Sequence, residues 1–439
     1  MSARKVSHRT VIVGGGAGGL QLAARLGRRY GPDSVILVDA EPFHIWKPSL
    51  HEVAAGTLDI HQEGLSYPML ARIDHFSFMR GEMVGVDRQA RKVLLGPLTL
   101  PDGTMLLPTR ELPYDTLVVA VGSLGNFFGT PGAQEHAIAL DSTDAAEHFR
   151  LTLLRAMVRL AEKRQRGIDG KLHLVIVGGG ATGVELAAEL IDAGDMVSDY
   201  GLPSVDARRD VSITLVESAP RLLGPLTERV AIAAHQALLD RGIRIETGCR
   251  VARVTSDRIF TADGRELPAD LCVWAAGISA PPVLAKLGLP QNRAGQIEVD
   301  AFLQTTDPAV FAMGDCAAAP WVHDGKTTQV PARAQAAHQQ ASYLAQRIGQ
   351  RMEGRPLSDT PFSYHDHGSL VSLGTEQGVG SLMGGLVAKG MYVNGLMARL
   401  MYMSLHLMHH RVVLGFGRTI SVALGRLLSG RAQPRVKLH

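Results

Sequence analysis

Two stretches of this chain repeat one another 164 residues apart, and that repeat limits the fold more than any other feature. Thr10, Val11, Ile12 and Val13 lead into Gly14, Gly16 and Gly19; Leu174, Val175, Ile176 and Val177 lead into Gly178, Gly180 and Gly183. Each is a short buried strand entering a glycine turn and leaving as an Ala- and Leu-rich helix. The first glycine permits a tight turn and the second lets backbone N–H groups reach a pyrophosphate. The third lets helix and strand pack closely, and the helix N-terminus supplies partial positive charge. One such turn is weak evidence, because glycine turns also recur for packing alone.

Here each turn has a partner. Residues 34–39 form a strand pattern ending in Asp39, and residues 211–217 form one ending in Glu217, after a polar insertion around 195–210. A carboxylate at such a strand end accepts hydrogen bonds from ribose hydroxyls and repels a 2′-phosphate. Glu217 therefore favours NADH over NADPH, with Arg221 close enough to soften the preference. The exits match as well: residues 112–122 end in Gly122 and residues 267–277 end in Gly277. A third strand pattern, over 304–316, closes on Gly314 and Asp315 and precedes a helical pattern over 332–347. Asp315 suits a carboxylate bonding a flavin ribityl hydroxyl, or an N-cap of the helix after it.

These patterns predict an α/β protein with two Rossmann-like dinucleotide-binding domains and a C-terminal region of another kind. The expected division is an FAD-binding domain from 1–140 and 277–360, an inserted NADH-binding domain from 141–276, and a membrane-association region from 361–439. A chain of 439 residues exceeds one ordinary core, in keeping with that division. Its three cysteines, Cys249, Cys272 and Cys316, form no CxxC pair, which argues against a disulfide framework or zinc site and for a reducing compartment. About ten residues precede the first apolar run, without the apolar stretch of a signal peptide.

The net charge of +3 hides an asymmetry: residues 377–439 carry eight Lys/Arg and no acid, leaving 37 basic against 42 acidic residues before them. Residues 395–408 are rich in Met and Leu. Over 411–430 a continuous helical stripe would gather Arg411, Arg418 and Arg426 on one face, opposite Val413, Phe416, Ile420, Leu424 and Leu427. No apolar run reaches the roughly 18 residues of a membrane span. An Arg-bearing amphipathic pair of helices suits the membrane interface, each basic residue contributing about 1 kcal/mol at an anionic leaflet. A dimerisation or core-capping helix is the alternative. His406, His409 and His410 lack a matching carboxylate or Cys, so no metal is expected and surface or interfacial histidines are.

The chain resembles the type II NADH:quinone oxidoreductases, the single-subunit, non-pumping respiratory NADH dehydrogenases, over essentially its whole length. The resemblance is carried by residues 43–56 with Trp46, Lys47, Pro48, His51 and Glu52, by the turn from Gly178 to Glu185, and by 273–278. It is carried further by 332–339 with Arg333, Gln335, His338 and Gln339, and by Asp366, His367 and Gly368. It implies FAD on Gly14, Gly16 and Gly19, with Asp39 at its ribose, Asp315 at its ribityl chain, and Lys47, Pro48, Gly122 and Gln335 around it. It implies NADH on Gly178, Gly180 and Gly183, with Glu217 and Gly277, and Glu185 near nicotinamide and flavin. Gln335 and Gln339 would line the quinone side, and many relatives carry Gln where Lys47 stands. Hydride would pass to flavin N5 and electrons then to a lipid quinone, with Glu185 or water supplying protons. The implied place is the cytoplasmic face of the cytoplasmic membrane, as a peripheral protein and possible homodimer, without nucleic acid. Disulfide reductases and sulfide:quinone oxidoreductases need cysteines facing the flavin; a reductase of a small acidic electron-carrier protein and a non-enzymatic NADH sensor remain alternatives.

Overall fold

Strands buried on both faces and joined by helical crossovers must pair in parallel, and two such sheets form. In this computed structural model the described residues are 8–100, 102–200, 205–323, 325–374, 378–384 and 387–429. The chain opens with β1 (Thr10–Val13), α1 (Ala17–Tyr30), β2 (Val35–Asp39), α2 (Leu50–Ala55), α3 (Tyr67–Asp74), β3 (Ser77–Arg80) and β4 (Thr116–Val119). It continues with β5 (Ile138–Ala139), α4 (Thr143–Gln165), β6 (Leu172–Val177), α5 (Ala181–Tyr200), β7 (Val211–Val216), α6 (Glu228–Asp240), β8 (Arg244–Glu246) and β9 (Leu271–Trp274). Then follow β10 (Val310–Ala312) and α7 (Ala334–Met352). The C-terminal region holds β11 (Gly368–Ser372), β12 (Gly378–Gly384), β13 (Val387–Asn394), α8 (Gly395–Leu414) and α9 (Phe416–Ser429).

The first sheet runs β10-β4-β1-β2-β3 and the second β5-β9-β6-β7-β8, every pair parallel. In both, the glycine turn leaves the central strand, where a doubly wound sheet reverses strand order and opens a crevice. The chain leaves the first sheet after β4 and returns to it at β10. The two crossings lie side by side, with Leu124–Gly125 antiparallel to Ile278–Ser279. A boundary at residue 140 would leave β5 in the first unit; Ile138 and Ala139 instead pair with Val273 and Trp274 in the second sheet. The polar insertion expected around 195–210 is in part the continuation of α5 to Tyr200, with residues 201–204 outside the described residues.

The C-terminal region is built into both units. Val371, Leu373 and Val379 join the apolar cluster that holds α2, α4, α5 and α6. Val413 and Leu414 join the cluster of α1 and α7. Arg28, paired with Asp74 at 2.7 Å, also donates to the Val413 carbonyl at 3.2 Å.

The continuous stripe expected over 411–430 does not form. Gly415, with φ +78°, ends α8 and resets the helical phase before α9. Val413 therefore points into the core, while Phe416, Ile420 and Leu424, spaced by four on α9, are exposed, Phe416 at 68%. Met397, Leu405 and Met408 add exposed apolar side chains on α8. Arg411 and Arg418 are exposed; the side chains of Lys389, Arg399, Arg426 and Leu427, and all of Arg431, Arg435 and Lys437, lie outside the described residues. His409 and His410 are buried, contrary to surface placement, and the side chain of His406 lies outside the described residues. No described helix is long and apolar enough to cross a membrane.

Phe149 on α4 is fully buried in the cluster that also takes Leu50, Val53 and Ala54 of α2. Phe149→Ala is expected to lower unfolding free energy by about 3–5 kcal/mol. Val158→Ala on the exposed side of the same helix is expected to change it by less than about 0.5 kcal/mol. Denaturant midpoints of the two variants check the difference.

Candidate active site

The two glycine turns agree atom for atom in what they permit. Gly14 has φ +103° and Gly178 φ +116°, and a Cβ would stand 2.3 Å from the Ala120 carbonyl oxygen and 2.7 Å from Ala275. At Gly19 and Gly183 a Cβ would meet the carbonyl oxygens of Gly14 and Gly178 at 1.8 and 1.9 Å, so helix and strand touch only because both residues are glycine. At Gly16 and Gly180 nothing lies within 4 Å, and both line the cavity. The outer glycines are thus required by the protein itself, and the middle ones leave room for a phosphate.

Each acid latches its own turn. Gly15 N donates to Asp39 Oδ2 at 2.6 Å and Gly179 N to Glu217 Oε2 at 2.7 Å. The other oxygens accept from Glu41 N at 2.9 Å and Ala219 N at 2.7 Å. A carboxylate has about four lone-pair sites, so both keep capacity for ribose hydroxyls. Burial raises the Asp39 carboxyl above its usual range, against the pull of the Gly15 and Glu41 N–H groups. Arg221 is committed elsewhere: its guanidinium donates to the Gly224 and Leu226 carbonyls at 2.6 and 2.9 Å.

Both turns open on one cavity of about 1160 Å³. Lys47 and Asp315 meet on its wall. Lys47 Nζ donates to the Ser123 carbonyl at 2.6 Å, and Ser123 Oγ donates to Asp315 Oδ2 at 2.8 Å. Burial lowers the Lys47 ammonium, while Asp315 and Asp141 pull it up. Asp315 lies in the short turn Gly314–Cys316 and does not cap α7, whose N-cap is Arg333. Pro48, Gly122 and Gly277 line the same wall; Gly122 and Gly277 have φ +72° and +67°, and the Phe128 ring fills the place of a Cβ at Gly277.

Glu185 lies on α5 one turn beyond its start at Ala181, so the helix dipole does not explain it. It is 6% exposed, accepts from Ser372 N at 3.0 Å, and stands 3.5 Å from His51 Nδ1. Burial pushes the Glu185 carboxyl up to about 8, with Glu52 and Glu189 repelling its charge and Ser372 N–H opposing the shift. Burial pushes His51 down to about 4. Both groups are therefore neutral at pH 7, and their approach is not an ion pair.

Gln335 and Gln339 line the cavity, but their amides are already engaged. Gln335 Nε2 donates to Asp366 Oδ1 and the Gly368 carbonyl at 3.2 and 3.0 Å, and its Oε1 accepts from His367 N at 3.2 Å. Gln339 makes a two-way pair with the His365 backbone at 2.8 and 2.9 Å. Together they clip α7 to the chain entering β11. Among the cysteines, Cys316 is buried beside Asp315, donates to the Val119 and Met313 carbonyls, and is pushed up to about 12 by burial. Cys272 is likewise pushed up to about 12, and Cys249 is buried with it under the second sheet. None is a thiolate nucleophile.

Residue types and spacing alone did not single out Ser123, Asp141, His44, His51 or Glu52 as site residues. His44, His51 and Glu52 sit in the 43–56 run; for Ser123 the one local signal was its place directly after Gly122.

The profile of the pyridine nucleotide-disulphide oxidoreductase family matches residues 8–341. The type II NADH:quinone oxidoreductase of Haemophilus influenzae is 39% identical, covering 98% of this chain and 99% of its own. That of Staphylococcus aureus is 28% identical over 87% of this chain and 91% of its own. The structure of NDH2 from Plasmodium falciparum in complex with NADH has the same fold, with TM-score 0.79 at 18% identity over 98% of this chain and all of that one. The chain therefore belongs to the pyridine nucleotide-disulphide oxidoreductase family and, within it, to the type II NADH:quinone oxidoreductases.

Proposed function

We propose that this protein oxidises NADH with bound FAD and reduces a membrane quinone, without pumping protons. The observation that carries the reading is one cavity receiving two latched glycine turns, each with an open middle glycine. The residues present fit FAD: Gly16 leaves space for its pyrophosphate, Asp39 stands at the end of β2 for its ribose, and Asp315 is held toward the cavity by Ser123. When bound, FAD would supply the two-electron redox chemistry between nicotinamide and quinone.

The chain's own residues bind, orient and hold protons. Gly178, Gly180 and Gly183 seat the NADH pyrophosphate and Glu217 the adenosine ribose. Lys47 and Asp315, joined through Ser123, place a cation and an anion on one wall of the cavity. Glu185 keeps its proton at neutral pH, so it adds no charge of its own beside the dinucleotide, and it is the proton-exchanging group on that side. Gln335 and Gln339 act as positioning residues, holding residues 365–368 against the quinone side. The exposed apolar row of α9 and the exposed Met and Leu side chains of α8 supply a peripheral membrane contact at the cytoplasmic face, with Arg411 and Arg418 toward anionic headgroups. Dimerisation through that face is the alternative reading of α8 and α9. The division belongs to this reading with its first boundary moved ahead of β5: an FAD unit of 1–137 and 277–360, an NADH unit of 138–276 and a membrane region from 361.

Anaerobic flavin spectra test it. NADH alone is expected to bleach the flavin, and a short-chain quinone to restore it rapidly. Bleaching without return would leave an electron-carrier protein or a sensor role instead.

Glu217→Gln keeps an acceptor for Gly179 N and removes the charge. It is expected to cost about 1.5–3 kcal/mol, ten- to hundredfold in kcat/KM for NADH, with NADPH losing less. Steady-state comparison of the two cofactors reads the ratio.

Glu185 titrates near 8 in the fold and in the ordinary carboxylate range when unfolded. The native state therefore binds the extra proton between those values, and stability falls as pH rises through that window. Glu185→Gln is expected to remove this fall, so that the variant gains on the wild type between about pH 5 and about pH 8. Denaturation midpoints at the two pH values check the sign.

A further inference from the structure

Consecutive residues of a helix point about 100° apart, so α2 sends His51 toward α5 and leaves Glu52 nearer its rim. His51 is 1% exposed, and its two ring nitrogens face two different carboxyls. Nδ1 stands 3.5 Å from Glu185 Oε2, and Nε2 stands 3.8 Å from Glu52 Oε1. The Glu185 side chain is 8% exposed and that of Glu52 28%. One imidazole thus lies between a carboxyl closed off from water and one that reaches it.

Neither nitrogen of His51 completes a hydrogen bond among the described residues. The Pro48 carbonyl also faces the ring and favours a hydrogen on it, but burial outweighs this and leaves the ring neutral. A neutral imidazole carries one N–H and one lone pair, on different nitrogens. Protonated Glu185 is a donor, and Glu52, whose negative charge repels that of Glu185, is an acceptor. With its hydrogen on Nε2 the ring complements both at once. Closing the two gaps to hydrogen-bond length takes a movement of about 1 Å or less at each end.

We propose that Glu185 exchanges its proton with water through His51 and Glu52. The proposal rests on the reading above that Glu185 holds the exchangeable proton beside the dinucleotide. On the outward pass the Glu185 O–H bond breaks as Nδ1–H forms, and Nε2–H breaks as a Glu52 O–H forms. Glu52 then gives its proton to water. The ring ends with its hydrogen on Nδ1, set for the inward pass, which reverses each bond and reprotonates Glu185. No imidazolium forms at any point. Glu185 also lines the cavity, but flavin and dinucleotide fill that side of the loaded enzyme, so the path through α2 is the one left open.

The neighbouring charges have partners of their own. Glu189, one turn along α5, repels Glu185 and accepts from Thr57 Oγ1 at 2.6 Å. β11 contributes the Ser372 N–H and no titratable side chain. On α4, packed against α2, Arg150 pairs with Glu147. Lys47, ahead of α2, donates to the Ser123 carbonyl.

The test uses the FAD-loaded full chain saturated with NAD⁺ and followed by infrared spectroscopy. The protonated Glu185 carboxyl is the band that Glu185→Gln lacks. A stopped-flow jump from about pH 7 to about pH 9 crosses the Glu185 midpoint of about 8 and should erase that band. In His51→Gln and in Glu52→Gln the band should fade at least about tenfold more slowly. Glu52→Gln separates the relay from a change of environment. Removing its charge lowers the Glu185 midpoint, which alone speeds release, whereas loss of the relay slows it. Fading at the wild-type rate in either variant overturns the relay. A wild type without the band at about pH 7 overturns instead the reading of Glu185 on which the relay rests.

Discussion

The hydrogen bond from Gly15 N to Asp39, 2.6 Å long and repeated from Gly179 N to Glu217 at 2.7 Å, is the constraint on which the site depends. It ties the end of one strand to the turn that leaves its neighbour. The turn can accept that tie only because Gly14 and Gly178 adopt positive φ and because Gly19 and Gly183 let the helix press onto the carbonyl oxygen behind it. Once both ends are fixed, the N-termini of α1 and α5 have one possible direction, toward the crevice. Backbone donors and helix dipole then converge on the same space, while the acid holds the turn in place.

Bringing the two crevices together is a separate problem, solved by the crossings. Leu124–Gly125 and Ile278–Ser279 run antiparallel side by side, so the second unit leaves and rejoins the first at one edge. The apolar cluster that joins α2 to α4, α5 and β11 closes the other side. That closure explains the chemistry of Glu185. Its carboxyl is shut between α2 and β11, where burial outweighs the single N–H of Ser372 and keeps it protonated. A histidine 3.5 Å away would rescue the charge in water; here His51 is buried as deeply and is itself neutral.

What could be read from the sequence was what local spacing encodes. The glycine turns, Asp39, Glu217, the exit glycines and the return of the chain at Gly314 and Asp315 each follow from a strand pattern and its next turn. The rest depends on distant pairing. His44 and His409 are 365 residues apart and meet through packing of α8, which no periodicity announces. Lys47 reads as an oddity beside Pro48 until Ser123 and Asp315 are seen on the same wall. The stripe over 411–430 misread one glycine: Gly415 at φ +78° resets the phase, turning Val413 inward and leaving Phe416 outside. Arg221 looked like a phosphate partner because its loop was not yet folded around it.

The C-terminal region then has two faces with opposite demands. On one, Val413 and Leu414 are sealed into the core of α1 and α7, and His409 reaches the wall of the cavity. On the other, Phe416, Ile420 and Leu424 stand exposed in a row that water does not favour. A loose tail would expose such a row at no cost to the site, because it could move away. This one cannot move freely: Arg28 holds the Val413 carbonyl, and His44, 3.0 Å from the Gly15 carbonyl oxygen, lies 2.8 Å from His409 of α8. Whatever covers the apolar row is therefore fixed in position relative to the cavity, whose lining takes in Leu405 and Met408, exposed apolar side chains of α8.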